Sequence, residues 1–269
     1  MDRPNIYFGT AEQQALERRA DLLWQIVGGD SRYACHGRAV ALKVRGVDDV
    51  GLQIALARLQ GVGPSDSLTP EVAEARAAAI TAAGLVTDVY EHWEADVSAI
   101  AVARDLLSKR ALPDGLSVHE IGGDTTEEEF AKLDALTQSC GVLLPSAAFL
   151  RGDICPAVCL YAKSPGGAFA GVAAAVAQNP KGSAEEGRVW WGMLSTAVDW
   201  RGRGIAKLLG AKALIAMAER HAVQFFDTGI RAGNVESAKL CAGLGFESSG
   251  GLDLMAIDPV TMSGGRMTK

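Results

Sequence analysis

Thr196-Ala197-Val198-Asp199-Trp200-Arg201-Gly202-Arg203-Gly204-Ile205-Ala206-Lys207-Leu208-Leu209 is the stretch on which the reading of this sequence turns. It reads as the end of a strand, a tight turn of alternating arginine and glycine, and the start of an apolar-striped helix. A helix N-terminus presents unpaired N–H groups and the positive end of the macrodipole, which suits an anion such as a pyrophosphate. Gly202 and Gly204 permit left-handed backbone and close approach to that anion, while Arg201 and Arg203 add charge. Two familiar nucleotide loops do not fit. The P-loop pattern Gly-x-x-x-x-Gly-Lys-Ser/Thr is absent, and the dinucleotide fingerprint needs three glycines that this turn does not supply.

Working outward, residues 189–198 read as the strand that feeds the turn and 204–220 as the helix that leaves it. A strand at 223–230, a helix at 235–243 and a final strand pair after Phe246 follow. Upstream, strands at 157–162 and 168–177 are joined by Ser164-Pro165-Gly166-Gly167, a hairpin signal. Before them come a strand at 116–121 and a helix opened by Thr125-Thr126-Glu127-Glu128-Glu129, a threonine cap with acids in the first turn. Pro113-Asp114-Gly115 is the best boundary, dividing the chain into residues 1–112 and 113–269. The first part reads as helix 12–27, strand 38–45, a helix ending near Gln60 with Asp48 as cap, and a loop at 61–65. A helix with Thr69 as cap and Pro70 in its first turn, a strand at 85–93 and a helix at 96–109 complete it. The fold class is α/β, with a mixed sheet.

Composition narrows the function. Among 269 residues, 26 Lys and Arg against 32 Asp and Glu leave a net charge of −6, the wrong sign for a nucleic-acid footprint. No run approaches the ~18 apolar residues of a membrane span. Met1-Asp2-Arg3-Pro4-Asn5 has no basic start leading into an apolar core, so a cytoplasmic protein is expected. The five cysteines are odd in number and scattered, which speaks against a disulfide framework, and the four histidines are far apart, so no metal site is expected.

Arg201-Gly202-Arg203-Gly204-Ile205-Ala206 resembles the Arg/Gln-x-x-Gly-x-Gly/Ala signature of the GNAT superfamily of N-acetyltransferases. Some thirty residues later, Asn234-Val235-Glu236-Ser237-Ala238-Lys239-Leu240-Cys241-Ala242-Gly243-Leu244-Gly245-Phe246 resembles the family's Asn-x-x-x-Ala-x-x-Tyr-x-x-x-Gly-Phe segment. The element order after residue 113 is similar as well. This resemblance implies a GNAT acyl-CoA N-acyltransferase fold in residues 113–269 and binding of acetyl-coenzyme A as co-substrate. By the same analogy the backbone of Arg201, Gly202, Arg203, Gly204, Ile205 and Ala206 would hold the pyrophosphate. Ser195, Thr196, Ala197 and Val198 would pair with the pantetheine arm as an added strand does, and a backbone N–H there would hold the oxyanion. Asn234 would bond the pantetheine while capping its own helix. The thioester would lie where the two parallel strands splay apart.

The resemblance implies direct acetyl transfer to a primary amine in a ternary complex, with a small amine favoured over a protein as acceptor. The net negative charge favours a cationic acceptor. Three departures from the family pattern stand out. No acid is found in the strand before the turn, where members often carry a glutamate base; Asp227 and Glu120 are the substitutes, with a solvated surface carboxylate as the plainer reading of each. The tyrosine seven positions after the asparagine, which protonates the leaving thiolate in the family, is replaced by Cys241; this thiol could donate a proton or pack as a small hydrophobe. The connection from Val198 to Arg201 is shorter by about two residues than in many relatives. These departures keep alive a rival reading, a non-catalytic acyl-CoA-binding sensor or scaffold. Residues 1–112 lack the signature turn. They could be a degenerate second copy of the half-fold, as in tandem members such as mycothiol synthase, or an accessory domain that shapes the acceptor pocket or forms a homodimer interface.

Overall fold

The computed structural model describes residues 4–263. In chain order its elements are α1 (Ala11–Val27), β1 (Tyr33–Cys35), β2 (Val40–Leu42), α2 (Val50–Gln60), β3 (Val62–Leu68), α3 (Pro70–Ala82), β4 (Val86–Asp96), α4 (Ser98–Lys109) and β5 (Ser117–Glu120). They continue as α5 (Glu127–Ser139), α6 (Ala147–Arg151), β6 (Ala157–Lys163), β7 (Phe169–Val176), β8 (Arg188–Thr196), α7 (Ile205–Arg220), β9 (Phe225–Arg231), α8 (Val235–Ala242) and β10 (Glu247–Ile257). All ten strands join one mixed sheet, in the order β1-β2-β3-β10-β4-β9-β8-β7-β6-β5. Two neighbouring pairs are parallel, β2 with β3 and β8 with β9.

Local chemistry sets the helix starts. Thr69 and Thr126 accept the Val72 and Glu129 N–H groups as expected, and Thr10 forms a capping box with Gln13. At α2 the expected Asp48 cap is not formed: Asp49 holds the cap position without a side-chain cap bond, its Oδ2 instead accepting the Gly46 N–H at 3.0 Å back across a short 3₁₀ turn. Helix α6 carries no sequence signal strong enough to anticipate it.

Two expectations are corrected. Of residues 61–65, expected as a loop, Gly61 caps the end of α2 in left-handed backbone and residues 62–65 start β3. A proline costs a sheet a ladder bond, and the ladder from β3 to β2 is a single bridge, Leu42↔Ser65. The buried Gln60 amide splices the two strands instead: Nε2 donates to the Val40 and Val62 carbonyls at 2.7 Å each, and Oε1 accepts the Val40 N–H at 2.9 Å. The other correction falls after Phe246, where one long strand stands in place of a pair. β10 takes β3 on one side and β4 on the other, with an irregularity between Ser248 and Leu252 against β4.

Strand β4, from before the Pro113–Gly115 turn, therefore lies between β10 and β9, and α4 packs on α7. Alternation along β4 sends Trp93 and Ala95 to one face, where they join Ala99, Ala103, Trp191, Leu214 and Phe226 in an apolar cluster. Trp191 stacks on Phe246 at 4.7 Å and donates to the Gly210 carbonyl. A Cβ on Gly210 would stand 2.5 Å from its indole, which explains a glycine inside α7. On the other face, α5 and α6 cover β6 to β8 through Phe130, Leu133, Phe149 and Val172. The opposite stripe of β4, Asp88, Tyr90 and His92, faces the site. Among the described residues no helix is long and apolar enough to cross a membrane, and all five cysteines are free thiols.

Candidate active site

Strands β8 and β9 pair at Arg188↔Phe225, Val189↔Phe226 and Trp190↔Asp227, and then part. Beyond that point β8 keeps only its β7 neighbour, so its other backbone edge faces an opening. Register against β7 slips between Ala174↔Gly192 and Val172↔Ser195, a bulge at which Met193 takes φ +61°. A bulge leaves one residue's backbone groups out of the ladder and re-aims its neighbours. Trp190 and Trp191 fall on opposite faces, as strand alternation requires: Trp191 is buried in the core and Trp190 lines the cavity.

At the far end of β8, Thr196 holds the turn, its carbonyl accepting from Cys140 Sγ and Arg201 Nε, each at 3.4 Å. The Ala197 N–H donates to the Ala170 carbonyl at 3.0 Å, and exposed Val198 opens a 3₁₀ turn. Gly202 and Gly204 both have φ +76°, and Gly204 is the cap of α7. The first N–H groups of a helix have no partner inside it, so those of Ile205 and Ala206 are available as donors. The Ile205 side chain is buried beneath them. Arg203 lies over the Trp200 ring at 4.8 Å. A third cation joins from α4's end: Arg110 Nη2 lies 3.7 Å from where a Cβ on Gly204 would stand.

The opening leads into a cavity of about 320 Å³. Leu194, Asn234 and Cys241 line it, as do Arg38, Asp88, His92 and Asp253. Asn234 Oδ1 accepts the Ser237 N–H at 3.1 Å, so the asparagine caps α8 and keeps its Nδ2 as a donor. Ser195 is buried, and its Oγ has no partner. Cys241 is 2% exposed, and burial pushes its thiol up to about 12.

His92, buried, is the group best placed for proton transfer. Its Nδ1–H donates to Asp253 Oδ1 at 2.7 Å, and the same oxygen accepts the Ser67 N–H at 2.9 Å. Nε2 is buried without a partner. Burial pulls the imidazole down, but the hydrogen bond and charge of Asp253, with Asp227 and Asp66, outweigh it and raise the ring to about 8. Gly229, the register partner of His92, keeps this space open, since a Cβ there would stand 2.8 Å from Asp253 Oδ2. Asp227 also lines the cavity; burial raises its carboxyl against the pull of His92, Lys43 and Arg188. Glu120 lies at the opposite edge of the sheet, on Arg220 at 2.9 Å. Of the two substitute acids, only Asp227 reaches the cavity.

The sequence reading passed over His92, Asp253, Arg38 and Arg110. His92 and Asp253 are 161 residues apart, and nothing in spacing joins them. The available signal is the polar alternation Asp88, Tyr90, His92, Glu94 in β4, which marks a polar strand face without saying what it faces.

Comparison with known proteins gives the class. The model described as "Acetyltransferase (GNAT) family" matches residues 131–246. A GCN5-related N-acetyltransferase from Kribbella flavida is 12% identical, with 91% of this chain and 95% of that one covered and a TM-score of 0.54. A Drosophila protein is 11% identical over 92% of this chain and 89% of its own, with a TM-score of 0.51. A tandem GNAT protein from the clavulanic acid biosynthesis pathway is 18% identical over 78% and 66%, with a TM-score of 0.48. No curated protein matches the chain. The fold is that of the GNAT acetyltransferases, and residues 131–246 are similar to the GNAT acetyltransferase family.

Proposed function

We propose that this chain transfers an acetyl group from acetyl-coenzyme A to the nitrogen of a small primary amine, with both held at once. The observation that carries the reading is the parting of β8 and β9 into a cavity lined by the His92–Asp253 pair.

The residues present fit the coenzyme. Two left-handed glycines and three arginines, 110, 201 and 203, surround the helix N-terminus, where a pyrophosphate is favoured. The free edge of β8 offers strand-like pairing to the pantetheine from Ser195 and Thr196, and Asn234 Nδ2 offers a further donor. Bound there, acetyl-coenzyme A would supply an activated thioester. An alkylammonium has a pKa near ~10.4, so something must take its proton before the nitrogen can attack. We assign that task to Nε2 of His92, which Asp253 holds in the tautomer with a free lone pair. Asp227 steadies the positive charge as it forms. A backbone N–H at the β8 bulge holds the developing oxyanion.

We assign Cys241 to packing. A thiol near 12 is a weaker acid than the thiolate's own conjugate acid, near ~8.5 for a simple thiol, so proton transfer from it would run uphill. Solvent then protonates the leaving group. Cys241→Ala is expected to keep kcat within about threefold; a tenfold fall or more, which corresponds to about 1.4 kcal/mol of barrier, would restore the acid's role.

Initial rates of thiol release against a panel of small amines test the reading. Amine-dependent release with intersecting double-reciprocal lines is expected. Binding of acetyl-coenzyme A with no release for any amine would return the non-catalytic sensor to first place.

A further inference from the structure

Among the described residues, one cation lining the cavity, Arg38, has no ion-pair or hydrogen-bond partner. The cavity's carboxylates are engaged: Asp88 by Arg231 at 3.1 and 2.8 Å, Asp253 by His92 at 2.7 Å, and Asp66 by Lys43 at 3.4 Å and His36 at 3.1 Å. Asp227 has Arg188 at 3.7 Å. Arg38 differs. Among the described residues no carboxylate lies within ion-pair distance of it, and its Nε and Nη2 are buried without hydrogen-bond partners. A buried guanidinium left in that state is costly, and its fork of donors matches a carboxylate's two oxygens.

The nearest internal candidate does not pair with it. Glu17 is 1% exposed, and its Oε1 is also unpartnered. Burial raises the Glu17 carboxyl against the opposing pull of Arg38, and the two side chains make neither a hydrogen bond nor an ion pair within 4.0 Å. Burial likewise draws Arg38 down to about 10, still well above neutrality, so it remains a cation. A cavity of about 320 Å³ sits at the small end of ligand pockets, which suits a metabolite-sized molecule rather than a protein segment.

Resting on the transferase reading above, we infer that the acceptor is a small amine that also bears a carboxylate, of the amino-acid class, and that Arg38 holds the carboxylate while the amine lies toward His92 and Asp227. Arg38 is thereby a specificity residue rather than a catalytic one. It selects among amines without touching the reacting nitrogen.

The test compares matched pairs with the full chain: each of the standard amino acids against its decarboxylated amine, with acetyl-coenzyme A saturating. At least one amino acid is expected to be acetylated with kcat/KM about 100-fold or more above its decarboxylated partner, since a site built to pair a charged group strongly rejects the analogue that lacks it. Arg38→Gln should raise KM for that amino acid by about 100-fold with kcat within about threefold, and leave the decarboxylated amine unaffected. Arg38→Lys, which keeps charge but loses the fork, should recover only part of the loss. Equal use of the two members of every pair would overturn the inference. So would turnover of neither set by a chain that binds acetyl-coenzyme A in calorimetry, or an Arg38→Gln defect identical for both members. Should Arg38→Gln fail to fold, the wild-type comparison decides alone. Absence of acetyl-coenzyme A binding overturns the transferase reading itself, and this inference with it.

Discussion

Replacing His92 by glutamine is expected to lower kcat by about 10²- to 10³-fold, the usual reach of a positioned general base, while acetyl-coenzyme A affinity is unchanged. His92 lies in β4, between β9 and β10, and not in the turn or the β8 edge assigned to the coenzyme. Its ring is raised to about 8 and must be neutral to accept a proton. In the wild type, log(kcat/KM) should therefore fall by one per pH unit as pH drops below about 8, and lose that dependence above it. The acceptor's own titration, near ~10 for an alkylamine, adds a second slope at higher pH. His92→Gln should abolish the inflection near 8 and keep the acceptor's. A variant that holds kcat within threefold of wild type and preserves the lower inflection would remove His92 from the mechanism and turn attention to Asp227→Asn.

Gly204→Glu should cost acetyl-coenzyme A more than about 100-fold in affinity, by two separate routes. Gly204 has φ +76°, and left-handed backbone costs a non-glycine residue about 1–2 kcal/mol. The new carboxylate would also stand beside Arg110, whose guanidinium lies 3.7 Å from the Cβ position. It would neutralise that cation and repel the phosphates at a helix N-terminus. Strain of that size lowers Tm by only a few degrees in a chain this long, roughly 2–4 °C per kcal/mol, so lost affinity in a folded variant is separable from unfolding. Calorimetry on the variant beside a thermal melt makes the distinction. Undiminished binding would mean that the Arg201–Ala206 turn does not hold the coenzyme.

The half of the site formed by local sequence was open to reading before the fold was in hand. Arg201, Gly202, Arg203 and Gly204 sit in one turn because left-handed glycines at a helix start impose it. Asn234 announced itself as the cap of α8 for the same kind of reason. Trp190 and Trp191 divide between cavity and core by simple alternation. The half that depends on long-range pairing was not legible. His92 meets Asp253 only because β4 and β10 become neighbours in the sheet, and their alternating stripes then face the same side. Residues 61–65 looked like a loop because glycine and proline normally interrupt strands; the Gln60 side chain that splices β3 to β2 carries no local signal. Arg110 and Arg38 likewise come from helix-end and loop positions whose neighbours only the tertiary fold determines.

The most direct test of the central assignment is calorimetric titration of acetyl-coenzyme A into the wild-type chain. Saturable binding at one site per chain is expected, carried by the turn that opens α7 and by the parted edges of β8 and β9. No heat and no saturation at millimolar coenzyme would contradict it, and the cavity would then have to be explained without acetyl transfer.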